Sequence, residues 1–127
     1  MDYRKIVNMA LEALDLLDVA DTRVEKCSGG ERKRLALANE LTCLVWPNLI
    51  CIDECTSGLD SQSAELVIAC LARLVRTHNL TIVTSIHQPS TTTLLMFDQL
   101  YMLARGGVCI YSGPPNTIYL HDQQRFD

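Results

Sequence analysis

The stretch that decides the fold is Leu49-Ile50-Cys51-Ile52-Asp53-Glu54, an apolar run that ends in two acids. A short, continuous apolar run is typical of a strand buried on both faces of a parallel sheet. A second strand is predicted at Leu80–Ile86, which is rich in β-branched residues. Apolar residues at helical spacing lie between the two strands, starting after Asp60 and ending at His78-Asn79. Strand, helix and strand form a βαβ unit, so the sequence predicts an α/β fold with a parallel sheet.

The topology of this unit brings distant residues together. Parallel strands end at the same edge of a sheet, and adjacent ends lie about 5 to 10 Å apart. Glu54 and His87 follow the two strands, so we expect them to be near neighbours that could share one phosphate. Each residue has a simpler interpretation when taken alone. An Asp-Glu pair after a strand is often a helix cap or a solvated loop, and a histidine at a strand end is often only hydrogen-bonded in place.

A second helix is predicted upstream, from Ser28-Gly29-Gly30-Glu31 to about Leu44. Ser-x-x-Glu is a capping box, and the glycine pair leaves backbone N–H groups open at the positive end of the helix dipole. Such a helix start favours a bound phosphate, although a simple capped helix also explains the pattern. The cations Arg32, Lys33 and Arg34 oppose the dipole at this position. They indicate either an anion or an acidic partner surface nearby.

The two acids after the strand suit metal and water chemistry. Asp53 is placed to hold Mg²⁺, which prefers oxygen ligands, and Glu54 would then orient or deprotonate an attacking water. With the helix start, they indicate nucleotide hydrolysis. The phosphate-gripping loop Gly-x-x-x-x-Gly-Lys-Ser/Thr is absent, because none of the three lysines, Lys5, Lys26 and Lys33, follows a glycine. The 127 residues are therefore not a self-sufficient P-loop enzyme.

The remaining elements flank this unit. An amphipathic first helix is predicted from the spacing of Tyr3, Val7, Ala10, Leu14 and Leu17, and a polar loop follows it over 18–26. After the second strand, the sequence predicts a short helix, an antiparallel hairpin at the sheet edge and the start of a last helix, at Ser90–Phe97, Gln99–Ala104 with Val108–Ser112, and Pro114-Pro115.

Composition excludes several classes of protein. A hydrophobic content of 48% is enough for a core, and the length suits about one domain. A net charge of -4 argues against a nucleic-acid-binding domain, which usually has a basic face. The longest apolar stretch, Leu41–Ile52, is interrupted by Pro47-Asn48 and falls short of the ~20 residues that a membrane-spanning helix needs.

The six cysteines do not form a metal or disulfide pattern. There is no Cys-x-x-Cys pair and no histidine at a spacing suited to zinc. Cys51 and Cys55 flank the acidic pair, which would suit a redox sensor. A free cysteine is more often a small buried hydrophobe, so we predict buried, reduced thiols.

Three segments, Ser28–Arg34, Asp53–Ser61 and Ile86–Ser90, together resemble the ATP-binding-cassette (ABC) ATPases. More narrowly, Gly-Gly-Glu-Arg-Lys-Arg in the first segment and His-Gln-Pro-Ser in the third are similar to the G subfamily. These White-type half-transporters export sterols, lipids, pigment precursors or drugs. The resemblance covers nearly the whole chain. One departure is Cys55, which stands where the family usually has proline, and the change frees the backbone after Glu54.

The resemblance implies a fold class: part of a P-loop NTPase parallel sheet with flanking helices, part of the helical signature subdomain, and a C-terminal β-hairpin. Residues 1–46 would belong to the signature subdomain. Residues 47–127 would be the part of the core that carries the Walker-B acids, the D-loop and the switch histidine. The Walker A part, with its lysine loop, would be missing from this stretch.

The resemblance also implies ATP and Mg²⁺ as cofactors and a role for each motif. Asp53 would be the metal-linked Walker-B acid, Glu54 the general base, and His87 the switch histidine that touches the γ-phosphate. The signature and the D-loop would complete the ATP sites across a dimer interface, through Ser28, Gly29, Gly30, Glu31, Ser57, Gly58 and Asp60.

The implied partners are a second ABC nucleotide-binding domain, identical or different, and the transmembrane domain of the same transporter, with no nucleic acid. The domain would lie on the cytoplasmic side of a membrane and power the export of lipids, sterols or other hydrophobic substrates. Two alternatives remain open at this point. The chain could come from a soluble ABC ATPase of translation or DNA repair, or it could be a non-catalytic, truncated fragment.

The missing lysine loop generates a first prediction. We expect the isolated 127 residues to hydrolyse no ATP, because half of each site would have to come from elsewhere. The measurement is phosphate release with ATP and Mg²⁺. Magnesium-dependent turnover by the purified chain would contradict the missing-half interpretation.

Overall fold

A computed structural model describes residues 3–42 and 47–118. The chain divides into two compact units, Met1–Gln88 and Pro89–Asp127. The predicted combination of helices, a parallel strand pair and an antiparallel hairpin is confirmed. None of the helices in the described ranges is long and apolar enough to cross a membrane.

In its described part, the first unit contains three α-helices and two strands: α1 (Tyr3–Ala13), α2 (Gly29–Leu41), β1 (Leu49–Ile52), α3 (Ser61–His78) and β2 (Thr81–Thr84). The strands pair in parallel, with Leu49 opposite Thr81 and Ile52 opposite Thr84. The limits predicted for α3 are confirmed, because Asp60 caps its start and Asn79 ends it in a left-handed conformation with φ 53°.

The core of this unit lies where the three helices and one face of the strand pair meet. Its buried members come from all three helices and from the turns beside them, namely Ala10, Leu14, Leu16, Ala38, Leu41, Cys70, Leu74 and Leu80. Ile50 and Ile82 pack against this cluster from the strands. Burial of these side chains removes apolar surface from water and fixes the sheet against the helices.

The first helix is shorter than predicted. It ends at Ala13, because Asp15 adopts a left-handed conformation with φ 57° and the Leu16 N–H bonds to the Leu11 carbonyl. This turn buries both Leu14 and Leu16, whereas Leu17, which was expected on the apolar face, is exposed. The chain thus places two nearby leucines in the core at the expense of the helical pattern.

The prediction that β1 is buried on both faces is wrong in this structure. Ile50 and Ile52 are partly buried, whereas Leu49 and Cys51 are exposed, and Val83 of β2 is 57% exposed on the same face. The reason is that the helices of this unit cover one face of the strand pair. β2 is also shorter than the predicted 80–86, because the chain leaves the strand after Thr84.

The second unit contains α4 (Thr91–Leu94) and the antiparallel strands β3 (Leu100–Leu103) and β4 (Cys109–Gly113). The predicted hairpin is confirmed, but it forms a sheet separate from β1 and β2 among the described residues. The helix predicted over Ser90–Phe97 is only one turn long. At the helix start predicted at Pro114-Pro115, the chain forms a 3₁₀ turn, Pro115–Thr117, and the residues after 118 lie outside the described ones.

The cysteines match the prediction in part. Cys27, Cys55 and Cys70 are buried free thiols, but Cys51 and Cys109 are exposed, and Cys43 lies outside the described residues. Burial raises the pKa of the Cys70 thiol, against the lowering effect of the Arg73 and Arg34 charges. Cys70 is therefore an unreactive core residue.

Candidate functional site

The site lies at the carboxyl edge of the parallel strand pair. The pairing continues one step beyond the strands, since the Ser85 N–H donates to the Ile52 carbonyl at 3.2 Å. Just past this point, the predicted proximity of Glu54 and His87 is confirmed, with Glu54 Oε1 3.1 Å from His87 Nε2. Both side chains face solvent, with 78% of the His87 side chain and 47% of the Glu54 side chain exposed. A water or phosphate can reach both groups.

Sequence reasoning missed a hydroxyl that connects the two acids. Ser85 Oγ donates to Asp53 Oδ1 at 2.5 Å and accepts from the Glu54 N–H at 2.9 Å. The signal was present in the strand register, which places residue 85 opposite residue 53 once Ile52 pairs with Thr84. Asp53 is exposed beyond this contact.

Glu54 has an unusual backbone. Its φ is 49°, in the left-handed region that non-glycine residues rarely adopt. Its N–H is held by Ser85, and its carbonyl accepts a hydrogen bond from Lys33 Nζ at 3.1 Å. The conformation is thus fixed by contacts from Ser85, just after β2, and from Lys33 of α2, and it points the carboxylate toward His87.

Asp53 is the candidate metal ligand at this edge. Among the described residues, no group of three or more His, Cys, Asp or Glu side chains could enclose a metal ion. Mg²⁺ is usually held by one or two carboxylates, with phosphate oxygens and waters completing its shell. A single exposed carboxylate therefore fits an Mg²⁺ ion whose other ligands are phosphate oxygens and waters, and it does not fit a closed protein cage.

The predicted capping box at the start of α2 is confirmed. Ser28 Oγ accepts from the Glu31 N–H at 3.2 Å, and Glu31 Oε2 accepts from the Ser28 N–H at 2.7 Å. Gly30 is buried, and a Cβ at this position would lie 3.3 Å from Ser63 Cβ. At Gly29, a Cβ would meet Leu59 at 3.4 Å. Gly30 therefore lets the start of α2 approach the first turn of α3, whereas the contact at Gly29 is an ordinary one.

The three cations on α2 are held within the chain itself, two by hydrogen bonds to backbone carbonyls and one by burial. Arg32 Nη1 donates to the Cys27 carbonyl at 2.7 Å, and Lys33 Nζ donates to the Glu54 carbonyl. Arg34 is buried, and its Nε has no hydrogen-bond partner in the described part of the chain. This corrects the sequence argument, because capture of backbone carbonyls gives Arg32 and Lys33 a structural reason to be there without an anion.

The predicted D-loop residues connect β1 to α3. Ser57 and Gly58 are exposed, and Gly58 has a φ of 74° that favours glycine. Asp60 Oδ1 accepts from the Ser63 N–H at 3.1 Å and caps α3. Cys55, at the family's usual proline position, is buried, and its sulfur accepts a hydrogen bond from Thr84 Oγ1 at 3.2 Å.

A cavity of about 730 Å³ lies between α2 and β1. Its wall is largely apolar, with Leu37 from α2 and Ile50 and Ile52 from β1, whereas Lys33 and Glu54 belong to its polar lining.

The structure brings Asp53, Glu54 and His87 together at one strand edge. The start of α2 meets this group through the contact of Lys33 with Glu54.

The sequence is similar to those of membrane transporters. It is 44% identical over 95 residues to "ABC transporter G family member 25" of Arabidopsis thaliana, covering 75% of this chain and 14% of that protein. It is 40% identical over 123 residues to "ABC transporter G family member 11" of the same plant, covering 93% and 17%. The chain thus spans less than a fifth of the length of these two relatives. No protein-family model matches it.

The fold is that of known ABC ATPases. A solved structure of CbiO1 from Clostridium perfringens, described as part of the ABC transporter complex CbiONQ, superposes with a TM-score of 0.78. The superposition covers 95% of this chain and 47% of that one, at 24% sequence identity. The described elements therefore correspond to about half of such a domain.

The cap at Asp60 generates a prediction about acid stability. Hydrogen bonds with Ser63 hold the pKa of the Asp60 carboxyl below its ordinary value. Because the folded state binds this proton more weakly, the cap's contribution to stability is complete above the pKa of the unfolded chain and is lost as the pH falls through the lower pKa of the folded state. We expect Asp60→Asn, which caps without a charge, to lose less melting temperature on acidification than the wild type.

The measurement is thermal unfolding followed by circular dichroism between neutral pH and strong acid. Asp21→Asn serves as the control, since Asp21 is an exposed carboxylate outside the helix starts. Identical acid profiles for Asp60→Asn and the wild type would show that the cap does not couple to pH.

Proposed function

We propose that the chain supplies half of each of two ATP sites in a longer transporter. The premise is its family: the chain belongs to the ABC transporters and is part of one ATPase domain. The observation that carries the proposal is the meeting of Asp53, Glu54 and His87 at one strand edge, with Glu54 and His87 3.1 Å apart. Hydrolysis of a nucleotide requires an acid that holds the metal, a base that activates the water and a polar group that contacts the phosphate.

Glu54 is the general base in this proposal. Its carboxylate is partly exposed, so a water between it and the terminal phosphate can donate a proton to it. His87 lies against the same carboxylate, where its ring can orient Glu54 and contact the phosphate. Asp53 would hold Mg²⁺, and the bound ion would neutralise charge on the phosphate oxygens.

The second half-site is the start of α2. The N–H groups of Gly29 and Gly30 lie at the positive end of this helix, beside the Ser28–Glu31 capping box. We propose that they bind the phosphate of a nucleotide held by a second ATPase domain, identical or different, with Ser57, Gly58 and Asp60 crossing the interface. In this arrangement residues 1–46 are signature subdomain and residues 47–127 are core.

The remainder of the domain is proposed to cover two apolar surfaces of this chain. One is the exposed face of the strand pair, with Leu49 and Val83 54% and 57% exposed, and the other is the cavity beside α2. The matching CbiO1 chain is about twice as long as the superposed part. This proposal places the missing lysine loop outside the present stretch.

We further propose that the full-length protein transports a hydrophobic substrate. It is supported by the G-type motifs Gly-Gly-Glu-Arg-Lys-Arg and His-Gln-Pro-Ser and by relatives named as G family transporters. Coupling would run through a transmembrane domain, with this domain on the cytoplasmic side. ATP-dependent movement of a labelled sterol or phospholipid in vesicles carrying the full-length protein tests it, and lipid movement that is independent of ATP would contradict it.

The role of Glu54 generates a direct prediction. In the full-length protein that contains these residues, Glu54→Gln keeps the size of the side chain but removes its basicity. We expect kcat for ATP hydrolysis to fall about 10²- to 10⁴-fold, the range typical for loss of a general base, with ATP binding retained. The measurement is phosphate release beside nucleotide-binding titration.

Glu12→Gln is the matched control, because Glu12 is an exposed carboxylate near the end of α1. It should leave both hydrolysis and binding unchanged. A Glu54→Gln variant with the wild-type kcat would remove Glu54 from the role of base.

A further inference from the structure

We propose that Ser85 is a positioning residue, which fixes the base Glu54 and the metal-binding acid Asp53 relative to each other. The inference rests on the proposed function and adds a residue that the nucleotide-binding motifs do not contain. Its basis is one hydroxyl that contacts both acids, through the side chain of Asp53 and the backbone of Glu54.

The hydrogen bonds of Ser85 are complementary. A hydroxyl has one donor and can accept as well, and here the donor goes to Asp53 Oδ1 at 2.5 Å while the oxygen accepts from the Glu54 N–H at 2.9 Å. A hydrogen bond to a carboxylate is stronger than one between neutral groups, so the first contact orients Asp53 firmly. The second fixes the peptide that joins the two acids.

Glu54 needs this support because its backbone is strained. A φ of 49° is uncommon for a residue with a side chain, and it persists only where surrounding contacts impose it. Ser85 holds the N–H, and Lys33 holds the carbonyl at 3.1 Å. Without the Ser85 contact, the peptide before Glu54 can rotate, and the carboxylate moves away from His87.

The strand pair makes Ser85 a rigid support. Its own N–H donates to the Ile52 carbonyl at 3.2 Å, which continues the ladder between β1 and β2. The side chain therefore projects from a fixed backbone toward residues that have already left their strand. Ser85 is exposed, so a threonine, which keeps the hydroxyl and suits a strand end, has room for its methyl group.

The test compares Ser85→Ala with Ser85→Thr in the full-length protein. A misplacement of about 1 Å can cost 10²-fold in rate, so we expect Ser85→Ala to lower kcat about 10- to 100-fold. KM for ATP should change less than about threefold, because Ser85 contacts the two acids and the proposed function gives it no contact with the nucleotide. Ser85→Thr should restore kcat to within about threefold of the wild type.

A second readout needs no nucleotide. The Glu54 N–H loses its acceptor in Ser85→Ala, so hydrogen exchange of the peptide that contains Glu54 should speed up in nucleotide-free protein and slow again in Ser85→Thr. Thr81→Ala is the control, since it removes an exposed hydroxyl from the other end of β2. It should leave kcat and the exchange of the Glu54 peptide unchanged.

The outcomes separate this inference from the proposed function. A wild-type protein without ATPase activity overturns both. If the wild type is active and Glu54→Gln is not, wild-type kcat or unchanged exchange in Ser85→Ala overturns the positioning role alone. Should Ser85→Ala fail to fold, Ser85→Cys takes its place, because a thiol fills the same space but bonds weakly. It should show the same loss of kcat, and full activity would overturn the proposal.

Discussion

The parallel pairing of β1 with β2 is the constraint on which the site depends. Ile52 lies opposite Thr84, so the two chains leave the sheet at the same edge and in the same direction. The residues that follow, Asp53 and Glu54 on one side and Ser85 and His87 on the other, are brought within hydrogen-bond distance. A shift of one residue would turn each side chain to the opposite face and separate the acids from their partners. Burial of Ile50 and Ile82 against the helices holds this register.

Close packing and a hydrogen bond to a backbone carbonyl connect the start of α2 to the same edge. Gly30 is buried, and a Cβ at this position would lie 3.3 Å from Ser63 Cβ, so a larger residue would displace its neighbour by a few tenths of an ångström. The Lys33 ammonium then bonds to the Glu54 carbonyl. Gly30 thus has a packing role in addition to any contact with phosphate. A cation that looked unfavourable beside a helix N-terminus is explained by a partner in another element.

The sequence predicted the elements and their meeting point well, for identifiable reasons. Period and capping residues determine α2 and α3, and topology alone brings Glu54 to His87. It predicted less well where a choice depends on three-dimensional contacts. The left-handed turn at Asp15 and the exposed face of β1 follow from which surfaces are covered, and the contacts of Ser85 and Lys33 follow from side-chain geometry. Local pattern carries no information on the turn, the covered face or the Lys33 contact, whereas the strand register already places Ser85 opposite Asp53.

The contact between Lys33 and Glu54 has a consequence for how two half-sites in one chain affect each other. In the proposed dimer, α2 faces one nucleotide while Glu54 serves the other, so the same hydrogen bond spans elements that belong to different ATP sites. A displacement of α2 stretches the bond to the Glu54 carbonyl, and Ser85 resists that displacement at the N–H of the same residue. Glu54, the proposed base, would therefore be held between the helix that would sense one ATP and the strand beside the other ATP site. Because Glu54 has a strained backbone, small changes on either side alter where its carboxylate points.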